Sequence, residues 1–295
     1  MNKSTILFLI LALAPLAQAE PMTVQAGIYV LNVGRFDVST GSYTIDFYLS
    51  LKCDRFCEPD FEFMNRRATS VDKLIDKPDE KFYRIQAALT QNIDLKKYPL
   101  DSHSLSIVLE DKKQTTTEQI FEIDNASSGI DPEVTLVGWN LKGWDAKVDT
   151  HFYAPYDEEY SRLYFNINIE RIYLSAVMKA FLPVLFIVLT GLLALLIEEK
   201  DKLWTRLGVN TSSVIAAVMF HLNVTASIPP VGYLTIADKF MIATYIVLLA
   251  SLYSSIEMMV HAKHGDEELS RKIYRASLYG IPAMAVVLYI LVFLV

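Results

Sequence analysis

The sequence predicts an all-β domain of the immunoglobulin-like sandwich type, exported from the cell, followed by an all-α bundle of four transmembrane helices. Three observations predict it. The chain opens on a stretch laid out like an export signal. The half that follows is built of short runs rich in β-branched and aromatic residues. The rest holds four apolar segments long enough to cross a bilayer.

Composition agrees. Of the 295 residues, 52% are hydrophobic and the mean hydropathy is +0.28, which points to a membrane protein. The formal charge of −7 is unevenly spread. Residues 20–173 carry 26 acidic and 17 basic side chains, a net of −9, and the remainder nets +2. No basic stripe exists for phosphates, so no nucleic-acid partner is expected. There is no nucleophile elbow, phosphate loop or clustered metal set, so no enzyme, cofactor or metal site is expected either.

Residues 1–19 read as a secretory signal peptide. Lys3 precedes an apolar run at 6–13, and Ala17-Gln18-Ala19 is a small-x-small cleavage site. Removal is expected after Ala19, because the run is short for an uncleaved anchor helix. Residues 20–172 then form the exported domain. GIYVLNVGRFD and TGSYTIDFYLSLKC read as two strands around a turn at Thr40-Gly41. YRIQAALTQNI, HSLSIVLED, EQIFEIDN, GWNLKGWDAKVDTHF and SRLYFNINIERI follow with roughly period-two alternation. About ten short strands with turn signals suggest a sandwich. Cys53 and Cys57 are the only two cysteines. In an oxidising compartment they favour a local disulfide, and no nearby His or Cys completes a zinc set. The last strand runs into the first apolar segment without a linker, which suits a domain that pushes on the membrane part.

Residues 173–295 form the membrane half, with helices predicted at about 174–197, 204–227, 234–260 and 273–295; Pro183 and Pro282 lie inside the first and last. The first connection carries Lys200, Lys202 and Arg206, and the third carries Lys263, Arg271, Lys272 and Arg275. The loop between the second and third segments has no Lys or Arg before Lys239. The positive-inside rule therefore places the first and third connections in the cytoplasm, with the N-terminal domain and the C-terminus outside. The signal peptide implies the same topology.

The second segment is too polar to face lipid all round, since it holds Asn210, Thr211, Ser212, Ser213, His221, Asn223, Thr225 and Ser227. Gly208, Ser212, Ile215, Met219, Leu222 and Ala226 step by four, three, four, three, four, which sets them on one helix face. A ring of such helices makes a pore with a narrow hydrophobic gate. A buried bundle helix whose polar groups bond to neighbours has the same composition.

An ordered set of motifs resembles the pentameric ligand-gated ion channels, the Cys-loop receptor superfamily. Tyr98-Pro99-Leu100-Asp101 is similar to the family's aromatic-Pro-x-Asp signature. Pro59-Asp60-Phe61-Glu62-Phe63-Met64-Asn65 resembles its Pro-x-x-x-Phe-x-Asn segment, and Gly138-Trp139-Asn140 the Gly-Trp-Asp of bacterial members. Arg171 stands where an Arg precedes the first helix, Pro183 at the first-helix proline, and Pro229 to Thr235 at the loop between the second and third helices. There are departures. Gln91 and Leu105 occupy the Cys-loop cysteine positions, the segment after Cys53 is short, and only about a dozen residues separate the third and fourth apolar segments.

The resemblance implies a homopentamer around a central pore in the plasma membrane, the inner membrane if the source is bacterial. It also implies surrounding membrane lipid, permeant ions, and gating by a small-molecule agonist or by protons. Its pore positions fall on the six residues of the stripe. Coupling between the halves is expected to run through Arg171, Asp101 and Asp37, with Tyr98, Pro99 and Leu100 against Pro230 and Tyr233; an ordinary surface ion pair is the plainer reading. The agonist pocket is expected between subunits under a hairpin tip at 152–160. There Tyr153, Tyr156 and Tyr160 form part of a cage for a cation, with Glu62 and Glu110 nearby. The same residues also suit a solvated sandwich edge. His221 reads either as a titrating switch or as a bonded helix-packing residue. The acidic outer half favours cations. A non-conducting, membrane-anchored ligand-binding sensor of the same fold is the alternative.

Overall fold

The computed structural model describes residues 20–198 and 202–294. The expected signal peptide, residues 1–19, lies outside the described residues, as do Glu199, Lys200, Asp201 and Val295. Among the described residues ten strands come first: β1 Met22–Val33, β2 Ser42–Cys53, β3 Phe61–Phe63, β4 Arg66–Asp76, β5 Glu80–Thr90, β6 Ser102–Asp111, β7 Gln119–Ile123, β8 Gly129–Ile130, β9 Trp139–Tyr153 and β10 Glu158–Arg171. Helices follow: α1 Tyr173–Leu193, extended by a tight turn at Ala194–Leu196, then α2 Leu203–Thr225, α3 Ile236–Lys263 and α4 Glu267–Leu294.

The strands make two sheets. One runs β4-β5-β2-β1-β7, with β8 also on β1, and the other runs β3-β6-β10-β9. Alternation dictates what lies between them. Tyr83, Ile85, Ala87 and Leu89 of β5 point inward while their neighbours are more exposed, and Leu105, Ile107 and Leu109 of β6 also point inward on a strand buried on both faces. The β1–β2 turn needs a left-handed residue, and Gly41 supplies it at φ +67°. Any Cβ there would run into the Gln91 carbonyl, because the turn comes close enough for the Gly41 carbonyl to accept from the Gln91 N–H at 2.8 Å. Cys53 and Cys57 are joined by a disulfide that closes the loop after β2.

Asn65 ties the two sheets. Its amide nitrogen donates to the carbonyls of Ser106 at 2.6 Å and Thr90 at 3.1 Å, and its oxygen accepts from the Val108 N–H at 3.4 Å. The half-buried Asn65 thus bonds β6 in one sheet and the end of β5 in the other.

α1, α2, α3 and α4 are each long and apolar enough to cross a membrane. The chain is a multi-pass membrane protein. The helices differ from the hydropathy limits at their ends. α1 spans Tyr173–Leu193 before its terminal turn, α2 ends at Thr225, and α3 starts at Ile236 and continues to Lys263. α4 begins at Glu267, six residues before the predicted 273. Polar residues 267–272 are helical because Glu267 and Glu268 sit at the positive end of the helix dipole, the Asp266 carboxylate accepts from the Leu269 N–H, and Lys272 pairs with Glu268 at 2.7 Å. The connection of about a dozen residues shrinks to 264–266, turned by Gly265 at φ +80°. Hydropathy marks the crossing, not the helix.

Asn65→Ala is expected to cost about 2 kcal/mol, since three buried or half-buried partners lose their bonds. The check is the thermal midpoint of the purified protein in detergent; an unshifted midpoint would remove Asn65 as the tie.

Candidate functional site: the junction and the second membrane helix

Only Ile172 separates β10 from α1. Arg171 therefore sits at the joint by chain geometry alone. Its Nε donates to Asp101 Oδ1 at 2.7 Å and its Nη2 to Asp101 Oδ2 at 3.0 Å, a two-pronged pairing that suits a planar guanidinium. The guanidinium also lies over the Trp139 ring, 4.4 Å from its centroid, and 5.2 Å from that of Tyr98. Asp101 is 1% exposed, and its second partner is His103, whose Nε2–H donates at 2.7 Å. Burial would raise the Asp101 carboxyl, but the bonds from His103 and Arg171 outweigh it and hold the group at about 2.

Asp37 is not in this cluster, contrary to the sequence expectation. Its carboxylate accepts from the Ser39 N–H and hydroxyl, closing its own turn. Those bonds hold its carboxyl below the usual range. His103 takes the place expected for a second acid. Asp101 and His103 are two apart, hence on one side of the strand start, and that spacing was a readable signal.

The loop before β6 also caps a membrane helix. The first N–H groups of any helix lack partners within it. Here the Ile236 N–H donates to the Lys96 carbonyl at 3.1 Å and the Ala237 N–H to the Tyr98 carbonyl at 3.1 Å. The Asp238 N–H goes to Thr235 Oγ1, whose own backbone N–H goes back to the Asp238 carboxylate, a reciprocal capping box. Tyr233 donates nothing to Tyr98; its hydroxyl accepts from the Leu95 N–H at 2.8 Å, and Lys96 lies over its ring. Tyr98 instead meets Ser227, hydroxyl to hydroxyl at 3.3 Å. The expected contact of Tyr98, Pro99 and Leu100 with Pro230 and Tyr233 is thus shifted. Pro230 is exposed, and the bonds go to Ser227 and the start of α3.

α2 separates its residues into two faces. Arg206, Asn210, Ser213 and Ala217 are buried against the other helices. Asn210 bonds Ser251 and Ser255, and Arg206 donates to Ser254 and Ser255 hydroxyls, with Met258 Sδ and Ser277 also within reach. His221 bridges Tyr245 at 2.9 Å and Asp238 at 3.2 Å, so it is a bonded packing residue in this structure. Gly208, Ser212, Ile215, Met219, Leu222 and Ala226 all lie on the opposite, exposed face, with Ile215, Met219 and Leu222 at 59%, 63% and 59% exposure. Of the polar groups that hydropathy made problematic, Asn210 and Ser213 are buried and His221 and Thr225 half-buried, while Thr211, Ser212, Asn223 and Ser227 are exposed in the subunit.

The aromatic group is arranged differently from an empty cage. Tyr153 donates to Glu110 at 2.8 Å, while Arg162 binds the same carboxylate at 2.6 Å and lies over the Tyr153 ring. The seat for a cation there is already taken by Arg162, directly across the strands from Glu110. Burial first, and then the Glu110 carboxylate, push the Tyr153 phenol up to about 12, so it remains a donor. Tyr160 packs edge-on against Tyr153 and bonds Glu158. Tyr156 is exposed at the hairpin tip, and Glu62 is exposed on β3. Arg162 escaped sequence reading; only the strand register pairs it with Glu110.

A sandwich seated on four membrane-crossing helices, with a capped joint and a solvent-facing apolar helix stripe, defines a receptor of the pentameric ligand-gated ion channel superfamily, and the chain is a member of it. It is similar to the proton-gated ion channel of Gloeobacter violaceus, 24% identical over 295 residues that cover 90% of this chain and 80% of that protein. It is also similar to human gamma-aminobutyric acid receptor subunits rho-1, 20% identical over 217 residues, and rho-2, 20% over 193 residues. Those matches span 45% and 41% of the two subunits. No family model matches the chain.

Two outcomes are expected at the joint. Arg171→Ala strands a buried carboxylate, at a cost of about 3–5 kcal/mol, and uncouples the halves; Arg171→Lys keeps charge without the fork and falls between. Assembly by gel filtration and ligand- or acid-evoked current are the readouts, and normal currents in Arg171→Ala would exclude the role. Asp101 has a lowered carboxyl, so the stability it contributes is present above the ordinary carboxylate range and is lost only as pH falls through about 2. Melting curves should therefore show no Asp101-dependent loss between pH 7 and pH 5, measured against Asp101→Asn.

Proposed function

We propose that the protein is a homopentameric, ligand- or proton-gated ion channel of the plasma membrane, gated by rings of Ile215, Met219 and Leu222. The carrying observation is the exposed stripe of α2. Three large apolar side chains remain uncovered within the subunit while the polar face of the same helix is fully used. Five such stripes around an axis cover one another and enclose a narrow lumen. A lumen of that kind empties of water and blocks ions until the helices tilt or rotate. Gly208 and Ser212 then form the wetted part of the path.

In this reading the exported domain acts on the pore helices through two attachments. Arg171 and Asp101 brace the end of β10 where the chain enters α1, and the 95–98 loop caps α3 and touches Ser227 beyond α2. Movement of the loop carries the α2–α3 connection with it. The sandwich and the C-terminus lie outside, with the basic connections in the cytoplasm. The net of −9 in residues 20–173 supports cation preference by concentrating counter-ions at the outer mouth. The hairpin carrying Tyr153, Tyr156 and Tyr160, with Glu62 and Glu110, supports an agonist site at the subunit boundary, one in which Arg162 already fills the cation seat between Tyr153 and Glu110.

The test is current across planar bilayers holding the purified protein, under a pH and small-amine screen. Gated current with a cation reversal potential is expected; silence across the screen in properly assembled pentamers would favour the non-conducting sensor. Met219→Ser is expected to raise resting conductance, because a hydroxyl ring wets the constriction. Unchanged resting current in that variant would place the gate elsewhere.

A further inference from the structure

Trp204 stands in the first turn of α2, four residues before Gly208, and is 72% exposed. We propose that five copies of Trp204 form an aromatic ring at the cytoplasmic mouth of the pore, and that this ring binds quaternary ammonium ions. The ring rests on the pore reading above, but its ligand is read by binding as well as by current.

Helix geometry places Trp204 in the stripe. At 3.6 residues per turn, each step along α2 turns by about 100°. Measured from Gly208, the residues Ser212, Ile215, Met219, Leu222 and Ala226 all fall within about 40° on either side. Trp204 also falls about 40° away, at the same angle as Leu222. Arg206, Asn210, Ser213 and Ala217 fall at about 140–200°, and all four are buried. Trp204 therefore stands nearly opposite the face that α2 turns into its own bundle. Its indole has no hydrogen-bond partner and no stacked ring among the described residues. An uncovered tryptophan at a membrane boundary commonly faces lipid headgroups. Here the helix angle turns it to the side of Ile215, Met219 and Leu222.

Size and charge define the ligand. One turn further in, Gly208 has no side chain, so the five indoles stand alone as the bulk at the mouth. Tryptophan holds a cation over its face better than other side chains do, and aromatic cages of this kind recognise quaternary ammonium groups. The one guanidinium in the first turn, Arg206, is 0% exposed and bonded inside the bundle. Residues 198–202 carry three acidic and two basic side chains, a net of −1 for each copy. The positive ends of five helices oppose a cation at this level. A small, strongly hydrated ion gains little from the rings to offset that. A quaternary ammonium ion sheds little water and gains the most.

The test has a proximity arm and a binding arm. Both native cysteines are bonded to each other, so Trp204→Cys adds the only free thiol. Oxidation should link neighbouring copies into dimers on a non-reducing gel, whereas Val286→Cys, exposed on α4, should stay monomeric. Isothermal titration of the assembled full chain in detergent with tetraethylammonium chloride should saturate at one ion for five copies, and ammonium chloride should not bind. Trp204→Ala should weaken tetraethylammonium about tenfold or more without moving the thermal midpoint, because the side chain is exposed. Trp204→Phe should lose less. In bilayers, tetraethylammonium on the cytoplasmic side should block current in the wild-type protein and not in Trp204→Ala. No dimers from Trp204→Cys, no saturation in the wild-type protein, saturation at one ion per copy, or unchanged affinity in Trp204→Ala would each overturn the ring, whether or not the channel conducts. Dimers and Trp204-dependent binding in a protein that passes no current would leave the ring standing and count against conduction instead.

Discussion

The structure depends on how the first peptide groups of α3 find partners. A helix start leaves N–H groups that nothing inside the helix can satisfy. In this chain they are divided between Thr235, at the helix's own edge, and two carbonyls of the sandwich loop before β6, Lys96 and Tyr98. The sandwich is therefore part of the membrane helix's hydrogen bonding. The Arg171–Asp101 fork braces the end of β10, which the chain continues into α1 through Ile172 alone, so the sandwich meets the helices at two places, covalently at α1 and by hydrogen bonds at α3. A body fastened at two points transmits a rotation, where a single tether would only pull.

The same accounting explains the membrane half. Hydrocarbon offers no partners, so each polar side chain must find one within the protein. Arg206 is fully buried, and serine hydroxyls, a thioether and the Ile197 carbonyl surround its donors. His221 is satisfied by Tyr245 and Asp238, and Asp238 at once serves the α3 cap. The second helix, the α3 cap and the bundle core are thus linked through His221 and Asp238. Once these demands are met, the face of α2 that remains uncovered is apolar at its middle and small at its inner end.

Much of this was legible from residue spacing. The six-residue stripe of α2 follows from a 3.6-residue period, and its opposite face was implied by the same count. The sandwich followed from alternation, and the membrane crossings from length. What spacing could not supply was partnership. The resemblance set Asp37 at the joint, and only the fold shows that Asp37 spends its carboxylate on Ser39 while His103 reaches Asp101. Arg162 looked like an unremarkable strand residue until register set it against Glu110.

By itself the sequence determined the two-part architecture, the four crossings, the face of α2 that is left uncovered and the position of Arg171 at the joint. These are set by local quantities: hydrophobic period, run length and chain continuity. Only the tertiary structure decided which carboxylate Arg171 holds, which carbonyls cap α3, and that α4 extends beyond its apolar run. Each of those depends on a residue distant in sequence or on a backbone angle, and neither is written in the period of a single segment.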